Sequence, residues 1–130
     1  MARLASQEKL EFYPTPVEVT RMIASWFSAP KPTRIGDPCV GEGDALYAFK
    51  EALKQDIVTW GVELSPFRAE EAQKQIDVVL PASYFDVIWD PQSVSLMFNN
   101  PPYDWSHLID PLSGRKIRFE RLFTIRATAH

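Results

Sequence analysis

The sequence predicts an α/β fold built around a mostly parallel sheet. Short apolar runs alternate along the chain with segments of helical periodicity, and turns rich in glycine or proline separate them. This alternation favours parallel strands joined by right-handed crossovers. With 130 residues, 45% hydrophobic and 24% charged, the chain has the size and composition of one globular domain. We therefore expect a single domain over residues 1–130, in which the polar residues 1–11 are flexible.

Local signals place the elements in order. Thr15 is a good N-cap for a first helix, with Pro16 at its first position and Glu18 completing a capping box. Ser65 and Pro66 open a later helix as N-cap and first position. The remaining predicted segments are strands at 34–37, 57–63, 78–80 and 94–99, a helix at 44–54, a linker at 28–32, a turn at 110–114 and a basic helix at 115–129.

Composition excludes several classes of protein. The net charge of −3 and the pI of about 5.4 argue against a dedicated nucleic-acid clamp, which usually carries a basic surface. The single cysteine, Cys39, excludes an intramolecular disulfide and fits a reducing compartment. One cysteine and two histidines give no zinc-binding spacing, so no metal is expected. Without an apolar signal segment or a membrane-spanning stretch, we expect a cytoplasmic protein with no membrane contact.

A glycine-containing loop joins the first predicted strand to the helix that follows. It begins with Asp37 and Pro38 and includes Gly41 and Gly43. Glycines let backbone approach a ligand closely, and a helix start stabilises an anionic group. Asp37, at the strand end, offers a carboxylate to a ligand amino group. A tight turn without any ligand is the alternative, because glycine is common in loops generally.

Glu63 ends the second predicted strand, twenty residues beyond Gly43. In dinucleotide-type folds, an acid at about this distance from the glycine loop accepts the two ribose hydroxyls of a nucleotide. The alternative is a solvated carboxylate at a strand end. Because the glycine loop lies at the right distance before it, we favour ribose binding.

The most specific signal is a tetrad that follows the fourth predicted strand. It consists of Asn100, Pro101, Pro102 and Tyr103. The prolines end the strand, since neither has a backbone N–H for a ladder, and they stiffen the loop. Ligands of open α/β sheets bind at the carboxyl ends of the strands. The tetrad thus offers an amide, a carbonyl and an aromatic face to a cleft, an arrangement suited to gripping a planar amino group.

Taken in order, these segments resemble the class I S-adenosylmethionine-dependent methyltransferases of the DNA adenine-N6 type. Residues 12–16 resemble the segment that helps to cover the methionine end of the cofactor, and residues 37–43 resemble the glycine motif. Glu63 resembles the ribose-binding acid, and residues 100–103 resemble the catalytic Asn-Pro-Pro-Tyr motif. The resemblance covers residues 12–103. It implies a Rossmann-like methyltransferase fold, S-adenosylmethionine as cofactor and DNA as partner.

The resemblance also assigns the site residues. Catalysis falls to Asn100, Pro101, Pro102 and Tyr103. Cofactor binding falls to Tyr13, Thr15, Asp37, Pro38, Gly41, Gly43, Glu63, Ser83 and Tyr84. The Asn100 side-chain oxygen and the Pro101 carbonyl would accept the two amino protons of adenine, while Tyr103 stacks on the extruded base.

The match is imperfect after the third predicted strand, where the family places an acid that reads the cofactor adenine. Ser83 stands at this point, twenty residues after Glu63, and Asp86 comes three positions later. Either Ser83 makes a weaker hydrogen bond in place of the acid, or Asp86 reaches back. We favour Ser83, with Tyr84 packing beside it. Plain core burial is the alternative for Tyr84, because it is more common for aromatic residues.

Other functions remain open at this point. The same tetrad would serve an RNA base or a protein glutamine amide, since each presents a planar amino group. A non-catalytic cofactor-binding or partner-binding module is a further alternative. A nicotinamide oxidoreductase would explain the glycine loop but gives the tetrad no role.

Four predicted strands are fewer than the seven in the sheet of this family, so the C-terminal half of the fold is expected to be incomplete. The strand at 94–99 would then lie at an exposed sheet edge, which is an aggregation liability. We expect a missing half or a second chain to cover this edge, with the helix at 115–129 covering part of it.

Trp105, just past the tetrad, packs either against a base or within its loop.

Overall fold

The computed structural model describes residues 13–27, 34–90 and 92–129. In chain order its elements are α1 (Val17–Ser25), β1 (Arg34–Asp37), α2 (Asp44–Leu53), β2 (Val58–Glu63), α3 (Pro66–Ala72), β3 (Val78–Pro81), a short 3-10 helix (Tyr84–Asp86), β4 (Leu96–Met97), β5 (Trp105–Ile109), β6 (Lys116–Arg118) and α4 (Phe119–Thr128). The predicted α/β fold class is confirmed. The predictions for residues 1–11 and for the linker at 28–32 lie outside the described residues.

Strands β1 to β4 form one parallel sheet in the order β3-β2-β1-β4. In this sheet, Asp37 of β1 lies opposite Gly61 of β2, and Gly36 lies opposite Met97 of β4. Parallel strands bring their carboxyl ends to the same edge. The loop after β1, the end of β2 and the tetrad after β4 therefore meet at one place.

The two faces of the sheet are covered by different clusters, because successive side chains of a strand point to opposite faces. Ile35 of β1 is fully buried on the face that α2 covers with Phe49. On the opposite face lies an aromatic cluster that includes Tyr84, Trp89 and Phe123. α4 contributes Phe123, so this helix covers the second face close to the end of β3.

Gly36, which weakens the sequence signal for β1, makes room for the aromatic cluster. A Cβ atom at this position would lie 3.1 Å from the Trp89 ring and 3.1 Å from Cγ1 of Val94. The connection from β3 to β4 therefore packs directly on the strand. Among the described residues of that connection, the 3-10 helix is the only helical turn.

β4 is shorter than the predicted strand at 94–99 and comprises Leu96 and Met97. Two further backbone bonds extend the pairing with β1, from Ser95 N to the Arg34 carbonyl and from Phe98 N to the Gly36 carbonyl, each 2.8 Å. β4 lies at the edge of the described sheet, as expected.

A hairpin that the sequence did not predict follows the tetrad. β5 and β6 pair antiparallel around a turn in which the Gly114 N–H donates to the Asp110 carbonyl at 2.8 Å. The predicted turn at 110–114 is therefore present. The predicted helix at 115–129 is wrong in its first part, because Lys116–Arg118 forms a strand and the helix begins at Phe119.

The start of α1 also differs from its prediction. Pro16 rather than Thr15 occupies the N-cap position, and no side chain caps the helix. The Thr15 hydroxyl instead bonds to Asn100, so a tertiary contact replaces the local one. By contrast, Ser65 caps α3 as predicted, with its oxygen accepting from Arg68 N. No helix within the described ranges is both long and apolar enough to cross a membrane.

Gly61 provides a test of how β2 anchors the glycine loop. A Cβ at Gly61 would lie 2.6 Å from Cγ1 of Val40, whose N–H also donates to the Val62 carbonyl at 2.9 Å. We expect Gly61→Ala to lower the free energy of unfolding by about 1–3 kcal/mol, because the loop has to shift. Chemical denaturation measures this change.

Val40→Ala provides the matched partner variant for a double-mutant cycle. Shortening Val40 removes the clash, so the double variant should lose less stability than the sum of the two single variants. Strictly additive losses would contradict the close approach of the loop to β2.

Candidate active site

A cavity of about 290 Å³ lies at the carboxyl edge of the sheet. It brings together nearly all the residues that the sequence singled out. Its lining includes Tyr13, Thr15, Asp37, Pro38, Gly43, Glu63, Ser83, Tyr84, Asn100, Pro101, Pro102 and Tyr103. Gly41 is the one predicted residue that is not part of the lining. Its backbone N–H donates to Glu63 Oε2 at 3.0 Å, so Gly41 contacts a lining residue.

The glycine loop owes its shape to a left-handed turn at the start of α2. Gly43 is the N-cap of this helix with φ of 93°, a conformation that residues with a Cβ rarely adopt. A Cβ here would also lie 2.9 Å from Ile76. The loop therefore needs glycine at this position for two reasons that require no ligand. The tight-turn alternative is therefore sufficient to explain Gly43. The loop can still bind a ligand, because several of its residues line the cavity.

Asp37 is a buried carboxyl group at the end of β1, with only 3% of its surface exposed. Its pKa is raised to about 7, mainly because burial disfavours the charged form; the hydrogen bond that Cys39 N donates at 2.9 Å lowers it, and the charge of Glu63 adds to the rise. None of the hydrogen bonds or ion pairs found for Asp37 comes from a cationic side chain among the described residues. A ligand ammonium group would supply the missing positive charge.

Glu63 is a second buried carboxylate, with 5% of its surface exposed, so it is not the solvated strand end of the alternative interpretation. Its Oε1 accepts from Ser65 N at 2.8 Å and from Arg68 Nη2 at 2.8 Å and Nε at 3.1 Å. Its Oε2 accepts from Gly41 N alone among the described donors. Oε2 can therefore accept a ligand hydroxyl directly, whereas a second hydroxyl would have to share Oε1 with Arg68.

Asn100 is held in a defined orientation by the segment that precedes α1 and by Tyr103 of the tetrad. Its Nδ2 donates to Thr15 Oγ1 at 2.8 Å and to the Tyr13 carbonyl at 3.4 Å. A carbonyl can only accept, so the amide nitrogen faces this side. Oδ1 accepts from the Tyr103 hydroxyl at 2.8 Å and keeps capacity for a second N–H.

Cys39 links the glycine loop to the tetrad. Its thiol donates to the Asn100 carbonyl over 3.1 Å. Burial, together with the charge of Asp37, raises the pKa of this thiol well above its usual value, so it stays protonated and able to donate. The two ligand-facing loops are thus joined directly as well as through the sheet.

The wall that follows β3 is aromatic. Ser83 caps the 3-10 helix by accepting from Phe85 N at 3.3 Å. Tyr84 is buried, with its ring stacked on Phe123 at a centroid distance of 5.2 Å, and also lines the cavity. Asp86 is exposed and does not line the cavity. This geometry favours Ser83 over Asp86 as the residue that meets a ligand here.

Sequence reasoning missed the aromatic residues of α4. Phe119 and Phe123 line the cavity beside Phe85. Their i,i+4 spacing on a helix is a signal that could have identified them, although basic residues dominate the composition of this segment. It also missed Arg68, whose pairing with Glu63 depends on the turn between β2 and α3. No group of three or more potential metal ligands occurs among the residues that the structure describes.

The buried Asp37 predicts an unusual pH dependence of stability. Its pKa of about 7 in the folded protein lies above the ordinary value of 3.8, so the folded state holds a proton that the unfolded state releases between these values. The free energy of unfolding should therefore fall as pH rises through this window. We expect Asp37→Asn, which cannot ionise, to remove this fall and to be more stable than the wild type at pH 8 by roughly 1–4 kcal/mol.

Denaturation profiles at several pH values measure this effect. Asp56→Asn, at an exposed aspartate outside the cavity, makes the same change in net charge and serves as the control. The interpretation of Asp37 is wrong if Asp37→Asn and Asp56→Asn have the same pH profile.

Comparison with solved structures places this geometry in a known fold. The structure is similar to a type I restriction-modification system methyltransferase subunit from Streptococcus thermophilus, with a TM-score of 0.64 and 21% identity, covering 92% of this chain and 32% of that one. It is also similar to a putative class I S-adenosylmethionine-dependent methyltransferase from Listeria monocytogenes, with a TM-score of 0.68 and 18% identity, covering 88% of this chain and 42% of that one. The chain therefore spans less than half the length of either structure.

Sequence comparison gives a family for the whole chain. None of the curated proteins compared matches it. Residues 1–130 match the family model of DUF6094, which is described as an uncharacterised methyltransferase family. Because this match extends over the full sequence, the chain belongs to the uncharacterised methyltransferase family DUF6094.

Proposed function

We propose that this protein transfers the methyl group of S-adenosylmethionine to the exocyclic N6 of adenine in DNA. The observation that carries the proposal is the orientation of Asn100. Thr15 and the Tyr13 carbonyl hold its amide nitrogen, so Oδ1, which accepts from the Tyr103 hydroxyl, can accept a second hydrogen bond from a substrate amino group. None of the hydrogen bonds among the described residues uses the Pro101 carbonyl, so a second acceptor lies next to the first along the chain.

Two acceptors are what an aromatic amine needs in order to react. The lone pair of adenine N6 is delocalised into the ring, which makes the amine a poor nucleophile. Hydrogen bonds from its two protons to Asn100 Oδ1 and the Pro101 carbonyl favour a pyramidal nitrogen with a localised lone pair. This is catalysis by positioning and electrostatics, and orientation alone is worth about 7 kcal/mol or more in well-aligned reactions.

The residues of the cavity fit the proposed cofactor. Asp37 is a buried carboxyl group that pairs with no cation in the described part of the chain, and it suits an ammonium group. Glu63 Oε2 suits a ribose hydroxyl, and the aromatic wall beside Ser83 suits an adenine ring. When bound, S-adenosylmethionine supplies a methyl group activated by attachment to a positively charged sulfur.

DNA is the proposed substrate on two grounds. The similar subunit from Streptococcus thermophilus belongs to a restriction-modification system. Tyr103 is 55% exposed at the rim of the cavity, where an aromatic face can stack on a base taken out of the helix. An RNA base and a protein glutamine amide carry a similar planar amino group and are the competing substrates.

The proposal also includes a covering segment for the outer edge of β4. Only β1 pairs with β4 among the described strands, and parallel sheets are normally covered on their edges and faces. A further part of a longer protein or a second chain would fill this role.

Asn100→Ala tests the function directly. We expect it to lower kcat for methyl transfer to duplex DNA by about 100-fold or more, because the substrate amine loses a positioned acceptor. Transfer of radiolabelled methyl groups measures the rate, and calorimetry should find the affinity for S-adenosylmethionine unchanged. Equal transfer by wild type and variant would contradict the assigned role of Asn100. Transfer to RNA or to a glutamine peptide in preference to DNA would replace the proposed substrate.

Variants of Thr15 distinguish two roles of this residue, which are orientation of the Asn100 amide and binding of the cofactor. Thr15→Val keeps the side-chain shape but removes the hydroxyl that accepts from Asn100 Nδ2. We expect kcat to fall about tenfold, as for the loss of one hydrogen bond, with KM for S-adenosylmethionine nearly unchanged. Thr15→Ser keeps the hydroxyl and should retain most of the activity. A raised KM with unchanged kcat in Thr15→Val would show instead that Thr15 serves only the cofactor.

A further inference from the structure

We propose that the hairpin formed by β5 and β6 contacts the DNA strand beside the target adenine, with Trp105 as a stacking surface and Arg115 and Lys116 as phosphate contacts. This inference rests on the proposed function and extends it from the reacting base to the nucleic acid around it. The hairpin lies at the rim of the cavity, carries basic side chains and exposes an aromatic ring.

The hairpin arises from the rim of the cavity. Asp104 precedes β5, Phe119 follows β6, and both line the cavity. The Phe119 N–H donates to the Asp104 carbonyl at 2.8 Å, which closes the base of the hairpin. The hairpin also follows the tetrad directly in the chain. The base of the hairpin is thus close to any polymer whose base reaches the tetrad.

Charge distinguishes this region from the rest of the protein. Residues 105–130 carry five basic and two acidic residues, a net charge of +3, whereas the whole chain has a net charge of −3. The C-terminal segment that borders the cavity is therefore basic, although the whole chain is acidic. Phosphate backbones are attracted to basic surfaces, and this attraction supplies much of the affinity of DNA-binding proteins.

Not all of these cations are equally available. Arg118 pairs with Glu120, and Arg121 pairs with Asp110 at 3.4 Å. Arg115 and Lys116 are exposed and take part in none of the ion pairs among the described residues. They are thus the side chains best placed to neutralise phosphates.

Trp105 adds a surface for a base. Its side chain is 51% exposed, and the Arg118 guanidinium lies 5.3 Å from the ring centroid. This cation–π contact supports one part of the ring system and places positive charge beside it. Exposed aromatic rings next to basic side chains are typical of surfaces that bind unpaired bases and their backbone.

A protein partner is the competing occupant. Leu108, Ile109 and Leu112 are exposed near the end of the hairpin, and apolar side chains of this kind also occur in protein interfaces. Charge favours nucleic acid, because the basic residues lie along the same hairpin. The experiment below distinguishes the two.

The test measures DNA binding by fluorescence anisotropy over a range of salt concentrations, with a short labelled duplex of arbitrary sequence. Arg115→Gln with Lys116→Gln should reduce the slope of log affinity against log salt by up to about 2, because two phosphate contacts are lost. The control is Lys54→Gln with Lys74→Gln. These lysines follow α2 and α3, at the opposite edge of the sheet, and make the same change in net charge.

Trp105→Ala should weaken binding to a duplex with an unpaired adenine by about tenfold, and Trp105→Phe should retain most of the affinity. Calorimetry with S-adenosylmethionine shows whether each variant is folded. The inference is overturned if the hairpin variants and the control have the same salt slope, or if wild type binds no DNA. A protein partner would be indicated by two results together. Replacement of Leu112 by a polar residue would abolish association with another protein, and DNA binding would be intact in every hairpin variant.

Failure of this inference is distinguishable from failure of the proposed function. Methyl transfer that depends on Asn100 but is indifferent to the hairpin, with unchanged KM for DNA, would reject only the inference. DNA binding that depends on the hairpin without any methyl transfer would reject the proposed function and retain the DNA surface.

Discussion

The pairing of β1 with both β2 and β4 is the constraint on which the site depends. Because all three strands are parallel, Asp37, Glu63 and the tetrad emerge at the same edge of the sheet. Distant segments of the chain then bind one another there. The Cys39 thiol reaches the Asn100 carbonyl, and Thr15, although it precedes the sheet, holds the Asn100 amide. The sheet therefore positions the groups, and these side-chain bonds set their orientation.

Two buried carboxyl groups determine the electrostatics of the site, and they differ in whether a cationic side chain pairs with them. Glu63 is paired with the Arg68 guanidinium, which donates from both Nη2 and Nε, and it also accepts from the backbone N–H groups of Gly41 and Ser65. Asp37 pairs with no such cation among the described residues, and burial keeps its pKa near neutrality. A group of this kind reduces the stability of the folded protein at neutral pH and strengthens the binding of a cationic ligand. Stability and binding are thus in conflict at Asp37, which is common in functional sites.

Much of this could be predicted where the signals are local. β2 and β3 follow from apolar runs, β1 follows from a shorter signal that Gly36 weakens, and α3 follows from Ser65 and Pro66. The order of the glycine loop, Glu63 and the tetrad also led to one cavity, because strand ends of a parallel sheet meet. Predictions from local sequence signals were wrong where a tertiary contact replaced the local interaction. Thr15 does not cap α1 but bonds to Asn100. β4, at the sheet edge, comprises two residues and is shorter than the predicted strand. The hairpin was not predicted, because the basic segment 115–129 was assigned to a helix. Its formation depends on the antiparallel pairing of β5 with β6 across a turn.

The central claim is that the cavity binds S-adenosylmethionine through its two carboxyl groups. Calorimetric titration of the full protein in buffers of different ionisation enthalpy tests it most directly. The account predicts one-to-one binding at pH 7 with release of roughly half a proton, because a cationic ligand lowers the pKa of Asp37 from about 7. Absence of binding, or binding without any exchange of protons, would contradict it.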